Sequence, residues 1–171
     1  LAAAAVAFGG FVATASAATS AQFQVKITIT SACSVTAGSG SDINFGNVPA
    51  NTPVGDPSLN GTSNISVTCS KTTPYIVGLQ TTDGSAGTGH MSGSTGDLVP
   101  YSLFQDSGHT KVWGNTGTAV GTAGNDYVSN GAGGLGNGTG SAQTIPVYAV
   151  VTNPNFTPGS YADTVTVNVL F

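Results

Sequence analysis

The segment Gln22–Thr30 alternates between apolar and polar residues at almost every position. Phe23, Val25, Ile27 and Ile29 would share one side of an extended chain, and glutamine, lysine and threonine side chains would share the other. Because successive side chains of a strand point to opposite faces, this pattern predicts a β-strand with one buried face. No stretch of ten residues shows a convincing helical period, which favours an all-β fold.

Further strand candidates are separated by turns rich in glycine, proline, asparagine and aspartate. They are Cys33–Thr36, Asp42–Gly46, Asn64–Ser70, Tyr75–Thr81, Leu98–Gln105, Thr110–Trp113, Gln143–Thr152 and Tyr161–Phe171. The composition agrees, because the chain has 25 glycines and contains neither glutamate nor arginine, two strong helix formers. Short strands at this spacing predict a sandwich or barrel, and 171 residues fit one domain.

The beginning of the sequence is typical of an exported protein. Residues 1–12 are almost wholly small and apolar, and they run into the small-x-small pattern Ala15-Ser16-Ala17 that signal peptidase accepts. About a dozen apolar residues are too few to cross a bilayer, which needs roughly 20. We therefore predict that residues 1–17 are the remainder of a signal peptide, and we expect no transmembrane segment. A buried apolar helix is the alternative interpretation.

The two cysteines, Cys33 and Cys69, predict a single disulfide, because an even cysteine count in an exported chain is typical of a bridge. In the chain-entropy model, closing a loop of this length constrains the unfolded chain by about 4 kcal/mol. A metal site is the competing use of two thiols, but the sequence has no CxxC motif and its histidines are distant.

Residues 114–140 contain ten glycines and a single charged residue, Asp126. Since apolar residues lie on both sides and no second domain follows, we expect a long surface excursion with one weak hairpin around Tyr127–Val128. A flexible linker is the alternative.

Little in the sequence points to chemistry. His90 and His109 have no second histidine at a metal-binding spacing, and no GxSxG motif is present. A triad assembled in space leaves no spacing signature, so spacing alone leaves that alternative open; the lack of any catalytic motif nevertheless disfavours an enzyme. A net charge of −4 without a basic cluster argues against a nucleic-acid partner. We expect no catalytic, metal-binding or cofactor-binding residues.

Several landmarks occur in a recognisable order. They are Cys33-Ser-Val35, Ile43-Asn-Phe-Gly46, Ile65-Ser-Val-Thr-Cys69, Pro74-Tyr-Ile-Val77, Tyr101-Ser-Leu-Phe-Gln-Asp106, Trp113-Gly114 and Gly159-Ser-Tyr-Ala-Asp-Thr-Val-Thr-Val-Asn-Val-Leu-Phe171. Together they resemble the spore coat protein U family, which includes the shaft subunits of archaic (Csu-type) chaperone–usher pili. The glycine-rich excursion after Trp113 is longer than this resemblance leads one to expect.

The resemblance implies an incomplete immunoglobulin-like β-sandwich that is completed by a donor strand from a neighbouring subunit. Residues 18–30, here called the donor segment, would insert Phe23, Val25, Ile27 and Ile29 into the groove of an identical subunit. Residues 31–171 would form the pilin domain.

The resemblance also implies partners and a location. A periplasmic chaperone would hold the last strand, whose Val165, Val167, Val169 and Phe171 share one face, and an outer-membrane usher would exchange the chaperone for the next subunit. The product would be an extracellular homopolymer on the cell surface that supports adhesion or biofilm formation.

Three alternatives remain at this level. The donor segment could be an ordinary first strand of its own domain, because periodicity is the same in both cases. The protein could be a self-contained secreted spore-coat or matrix sandwich. It could also be a carbohydrate-binding adhesin, which would require Trp113, Tyr101 or Tyr127 to be exposed for stacking on sugars; we expect Trp113 to face the core.

Overall fold

A computed structural model describes residues 19–171, so the predicted signal peptide at residues 1–17 lies outside the described residues. Nine strands carry the fold of the described part. They are β1 (Cys33–Thr36), β2 (Asn60–Cys69), β3 (Ile76–Gln80), β4 (Thr88–Gly93), β5 (Leu98–Phe104), β6 (Tyr127–Val128), β7 (Ala142–Val151), β8 (Tyr161–Ala162) and β9 (Thr166–Leu170). Short 3-10 turns occupy Ser39–Ser41 and Pro57–Leu59, and no described helix is long and apolar enough to cross a membrane.

The strands form two antiparallel sheets. The larger sheet has the order β1-β2-β7-β5-β4-β8, and the smaller sheet has the order β6-β3-β9. The long strands β2 and β7 pair from Asn60 opposite Val150 to Thr68 opposite Ala142 and form the centre of the larger sheet. The all-β prediction is therefore confirmed.

The core lies between the two sheets, because alternate residues of each strand turn inward. Val67 and Ile145 are fully buried on the larger sheet, and Val77 is fully buried on the smaller one. Trp113 is also fully buried, as expected from the sequence, and its indole Nε1 donates a hydrogen bond to the carbonyl of Val77 at 2.7 Å. A buried indole N–H needs such a partner, so this bond fixes the ring within the core.

Most predicted strands are present, but two are not. Asp42–Gly46 is an irregular segment, although Ile43 and Phe45 pack against the core. Thr110–Trp113 contains only an isolated bridge between Phe104 and Val112. Asp42–Gly46 pairs with no described strand, and Thr110–Trp113 lies beside the end of β5 but pairs with it only at that bridge.

Two further differences concern β4 and the end of the chain. No sequence pattern indicated β4, since Thr88–Gly93 contains two glycines and a single apolar side chain, Met91. The predicted strand Tyr161–Phe171 is divided: β8 joins the larger sheet beside β4, whereas β9 joins the smaller sheet beside β3. The chain therefore changes sheets between Ala162 and Thr166.

The glycine-rich excursion packs against the small sheet. Its two-residue strand β6 pairs with Ile76 and Val77 at the edge of that sheet. Asp126 is buried, with its Oδ1 accepting a hydrogen bond from the Gly117 N–H at 2.9 Å. Gly78 is required at this contact, because a Cβ there would overlap the side chains of Asn115 and Asp126.

Candidate functional site

A large apolar groove of about 1250 Å³ opens between the two sheets. Its floor is built by inward-facing side chains of β2, β4, β5 and β7, together with one side chain of β3. They are Ile65, Met91, Val99, Tyr101, Leu103, Val147, Ala149, Val151 and Leu79. Apart from Met91, these floor side chains are at most 7% exposed, whereas apolar side chains on the walls of the groove, such as Ile43, Phe45 and Val165, are half-buried. A groove of this size with an apolar floor is the candidate functional site of the described residues.

One wall of the groove is the irregular segment of residues 37–50 that follows β1. Ile43 and Phe45 from this wall lie directly over Gly61 of β2, where a Cβ would collide with both side chains. Gly61 thus lets the wall approach the sheet closely. The sequence did not predict this wall, because the alternation at residues 42–46 reads as a regular strand.

The opposite wall is formed by residues 154–165 and by the beginning of β9. Val165, Val167 and Val169 are half-buried and pack against the core, whereas Phe171 is 54% exposed. β9 is hydrogen-bonded to β3 on one side only, and it contacts β1 without forming a ladder with it. Unpaired backbone groups on such an edge are available to an added strand.

The residues before β1 leave the domain without joining either sheet. Residues 19–32 form no strand, and the four apolar side chains of the alternating segment are 83–88% exposed. These four are Phe23, Val25, Ile27 and Ile29. In the described chain the segment is therefore not a first strand of its own sheet, which was one of the alternatives.

The segment is held at its end by Ser70. The Ala32 N–H donates a hydrogen bond to Ser70 Oγ at 3.0 Å, and the Ser70 N–H donates to the Ala32 carbonyl at 2.9 Å. The next residue, Cys33, forms the predicted disulfide with Cys69. These contacts fix the point at which residues 19–32 leave the domain.

The family model of the Spore Coat Protein U domain matches residues 19–168. The chain belongs to the Spore Coat Protein U domain family. The match covers the alternating segment, the groove and the first three residues of β9. No curated protein matches the sequence.

A solved structure is also similar to this Spore Coat Protein U domain. It is the CsuC–CsuE chaperone–tip adhesion subunit pre-assembly complex from archaic chaperone–usher Csu pili of Acinetobacter baumannii, with a TM-score of 0.55 and 25% sequence identity. The match covers 84% of this chain and 40% of the other chain, so this chain spans less than half of that relative's length. This similarity identifies the arrangement of the two sheets as an incomplete immunoglobulin-like sandwich.

A polar network lies at the rim of the groove in this Spore Coat Protein U domain. Asp163, in the link between β8 and β9, accepts hydrogen bonds from Tyr101 Oη and Thr82 Oγ1, both at 2.6 Å, and from the Thr164 N–H at 2.7 Å. Burial alone would raise the pKa of Asp163, but these hydrogen bonds outweigh burial and lower the pKa. Burial and the bond to Asp163 raise the pKa of Tyr101. The network joins the link to β5 and to the turn after β3.

The sequence also raised side chains that could serve carbohydrate binding, catalysis or metal binding, and the structure shows where they lie. Trp113, Tyr101 and Tyr127 are buried, so they do not offer the stacking surface that a carbohydrate-binding adhesin would need. His90 Nδ1 lies 2.9 Å from Asp83 Oδ2 on the surface, and this pair is about half exposed. His109 contacts the ring of Phe104. Among residues 19–171, no group of side chains has the composition of a metal centre.

Proposed function

We propose that this Spore Coat Protein U domain is a structural shaft subunit of an extracellular pilus, and that it assembles by donor-strand exchange with identical subunits. The observation that carries the proposal is the coexistence of an open apolar groove and a separate, exposed apolar segment in one chain. A subunit that has both features can receive a segment from one neighbour and supply its own to another, as a position inside a fibre requires.

The energetics support insertion of the donor segment into a groove. Burying each of Phe23, Val25, Ile27 and Ile29 would contribute about 1.5–3 kcal/mol, or roughly 6–12 kcal/mol together before ordering costs. Ladder hydrogen bonds to the open edge of β9 would add affinity, since β-strand addition uses the backbone for affinity and alternate side chains for specificity.

The donor segment and the last strand have matching patterns. Phe23, Val25, Ile27 and Ile29 recur at every second residue, and so do the side chains at 165, 167, 169 and 171. Two strands with the same spacing of apolar side chains can pair with all of them directed into one core. This agreement supports the donor segment as the occupant of the groove.

The same geometry supports a chaperone and an usher as further partners. A chain with an exposed groove and an open strand edge is prone to aggregate, so it needs protection before assembly. The similar solved structure is a chaperone–subunit complex by its title, which supports a periplasmic chaperone that occupies the edge of β9, including Val165, Val167, Val169 and Phe171. An outer-membrane usher would then exchange the chaperone for the next donor segment. The role is structural, without catalysis.

The test moves the donor segment within the chain. A variant that carries residues 18–30 after Phe171, joined through a flexible linker, should be a stable monomer. The same residues in their natural place should give polymers or aggregates in the absence of a chaperone, and negative-stain images should show thin fibres. The proposal would be contradicted if the protein with residues 18–30 in their natural place were a stable monomer whose residues 23–29 are protected from hydrogen exchange within the same molecule. Amorphous layers instead of fibres would favour a secreted coat protein.

A further inference from the structure

We infer that the connection between the donor segment and β1 prevents the segment from entering the groove of its own molecule. Insertion is thereby directed to a second copy of the chain. This inference rests on the proposed function, because it explains why a chain that holds both halves of the interaction would not close on itself.

Self-insertion would be strongly favoured if the connection allowed it. A segment joined to its own groove by a short flexible link has an effective concentration on the order of 1 mM, compared with about 1 µM for a neighbouring molecule in dilute solution. The intramolecular form would then be favoured about 1000-fold. That advantage disappears when the link cannot take the required geometry, so the geometry of the link decides between a closed monomer and a polymer.

The structure restrains the link at Ala32. Both of its backbone polar groups are bonded to Ser70: the N–H donates to Ser70 Oγ at 3.0 Å, and the carbonyl accepts from the Ser70 N–H at 2.9 Å and from Ser70 Oγ at 3.2 Å. The disulfide from Cys33 to Cys69 holds the adjacent residue. Ala32 is therefore fixed in line with β1 at the sheet edge.

Only Ser31 and Ala32 are available to reverse the chain between Thr30 and β1. Two-residue hairpin turns require a positive φ at one or both central residues, which favours glycine, asparagine or aspartate. Serine and alanine are poorly suited to such a turn, and a turn would break the bonds between Ala32 and Ser70. The link thus directs the donor segment away from its own groove.

Three variants of the oxidised chain test the inference. The first has a short Gly-Ser insertion between Thr30 and Ser31, which leaves the Ala32 contacts intact but allows the chain to reverse. The second is Ser70→Ala, which removes the side-chain part of the restraint. The control has the same insertion after Gly121, where a Cβ would meet no neighbour within 4 Å. Each protein is refolded from denaturant at about 1 µM, where the link should be decisive, and analysed by size exclusion with light scattering and by hydrogen exchange.

The Thr30–Ser31 insertion should convert polymer into monomer whose fraction does not depend on protein concentration, with residues 23–29 protected. Up to about a thousandfold change in the monomer-to-polymer ratio is expected. Ser70→Ala should shift the ratio in the same direction by less, and the Gly121 insertion should behave as the natural chain. An insertion variant that still polymerises, or a natural chain that closes on itself, would overturn the inference.

A synthetic peptide of residues 19–32 separates this inference from the proposed function. If the peptide, added in excess during refolding, captures the natural chain as a one-to-one complex, the groove accepts the donor segment. A failure of the insertion variants would then refute the role of the link alone. If the peptide binds none of the variants, the proposed function itself fails.

Discussion

The substitution Ile27→Ala in the donor segment tests how the exposed side chains contribute once the groove is filled. Ile27 is 84% exposed in the described chain, so insertion would transfer nearly the whole side chain from water into the groove. Truncating a buried isoleucine to alanine costs about 2–5 kcal/mol, because it removes apolar burial and leaves a cavity. We expect this loss in the self-complemented variant with residues 18–30 after Phe171, where one folding equilibrium reports the interaction.

The assay is denaturant unfolding of the self-complemented variant, with the midpoint and slope compared between substitutions. The matched control is Thr28→Ala, which lies on the opposite face of the predicted strand and should cost about 1 kcal/mol or less, within the range of strand propensity. Equal costs for the two substitutions, or a larger cost for Thr28→Ala, would refute the assignment of Ile27 to the inward face.

Three further predictions concern the domain itself. Gly61→Val should destabilise the fold by about 1–3 kcal/mol through overpacking, because the added side chain would displace the groove wall of residues 37–50. Denaturant unfolding measures this change. The control is Gly40→Val, which should be nearly neutral because a Cβ at Gly40 meets no neighbour within 4 Å. Asp126→Asn should stabilise the protein increasingly as pH rises above the ordinary aspartate value of 3.8, because burial raises the pKa of Asp126 and the natural chain loses stability as this group ionises. A difference in unfolding free energy that stays constant or falls between acid and neutral pH would refute it. Replacing both Cys33 and Cys69 by serine should lower stability by about 4 kcal/mol for a closed loop with a sequence separation of 36, and unchanged unfolding would contradict this.

Strands that pack apolar side chains on one face could be predicted from the sequence to within a few residues. β5 and β7 show the reason, because inward residues such as Val99, Leu103, Ile145 and Val147 alternate with outward ones. β4 could not be predicted in this way, because its position depends on hydrogen bonds to β5 and on a single apolar side chain, Met91.

The groove depends on relations between segments that no local pattern contains. Ile43 and Phe45 have the alternation of strand residues, but whether they form a strand depends on a partner at the neighbouring edge. The network of Asp163 with Tyr101 and Thr82 joins residues that are far apart in sequence. A single aspartate within an apolar alternating stretch was the available signal for the division of Tyr161–Phe171 into two strands.

That division explains why the groove exists. If residues 161–171 continued as one strand beside β4, the smaller sheet would lose β9 and the floor would have no second wall. Instead, Asp163 holds the link at the rim, so that β9 crosses to β3 and presents its other edge, unpaired, beside the groove. Within residues 19–171, β9 builds one wall of the groove and has no strand paired to its second edge, while residues 19–32 lie outside both sheets. An open strand edge and an exposed apolar segment therefore occur in the same chain, and under the proposed function a segment from a second molecule would pair with that edge.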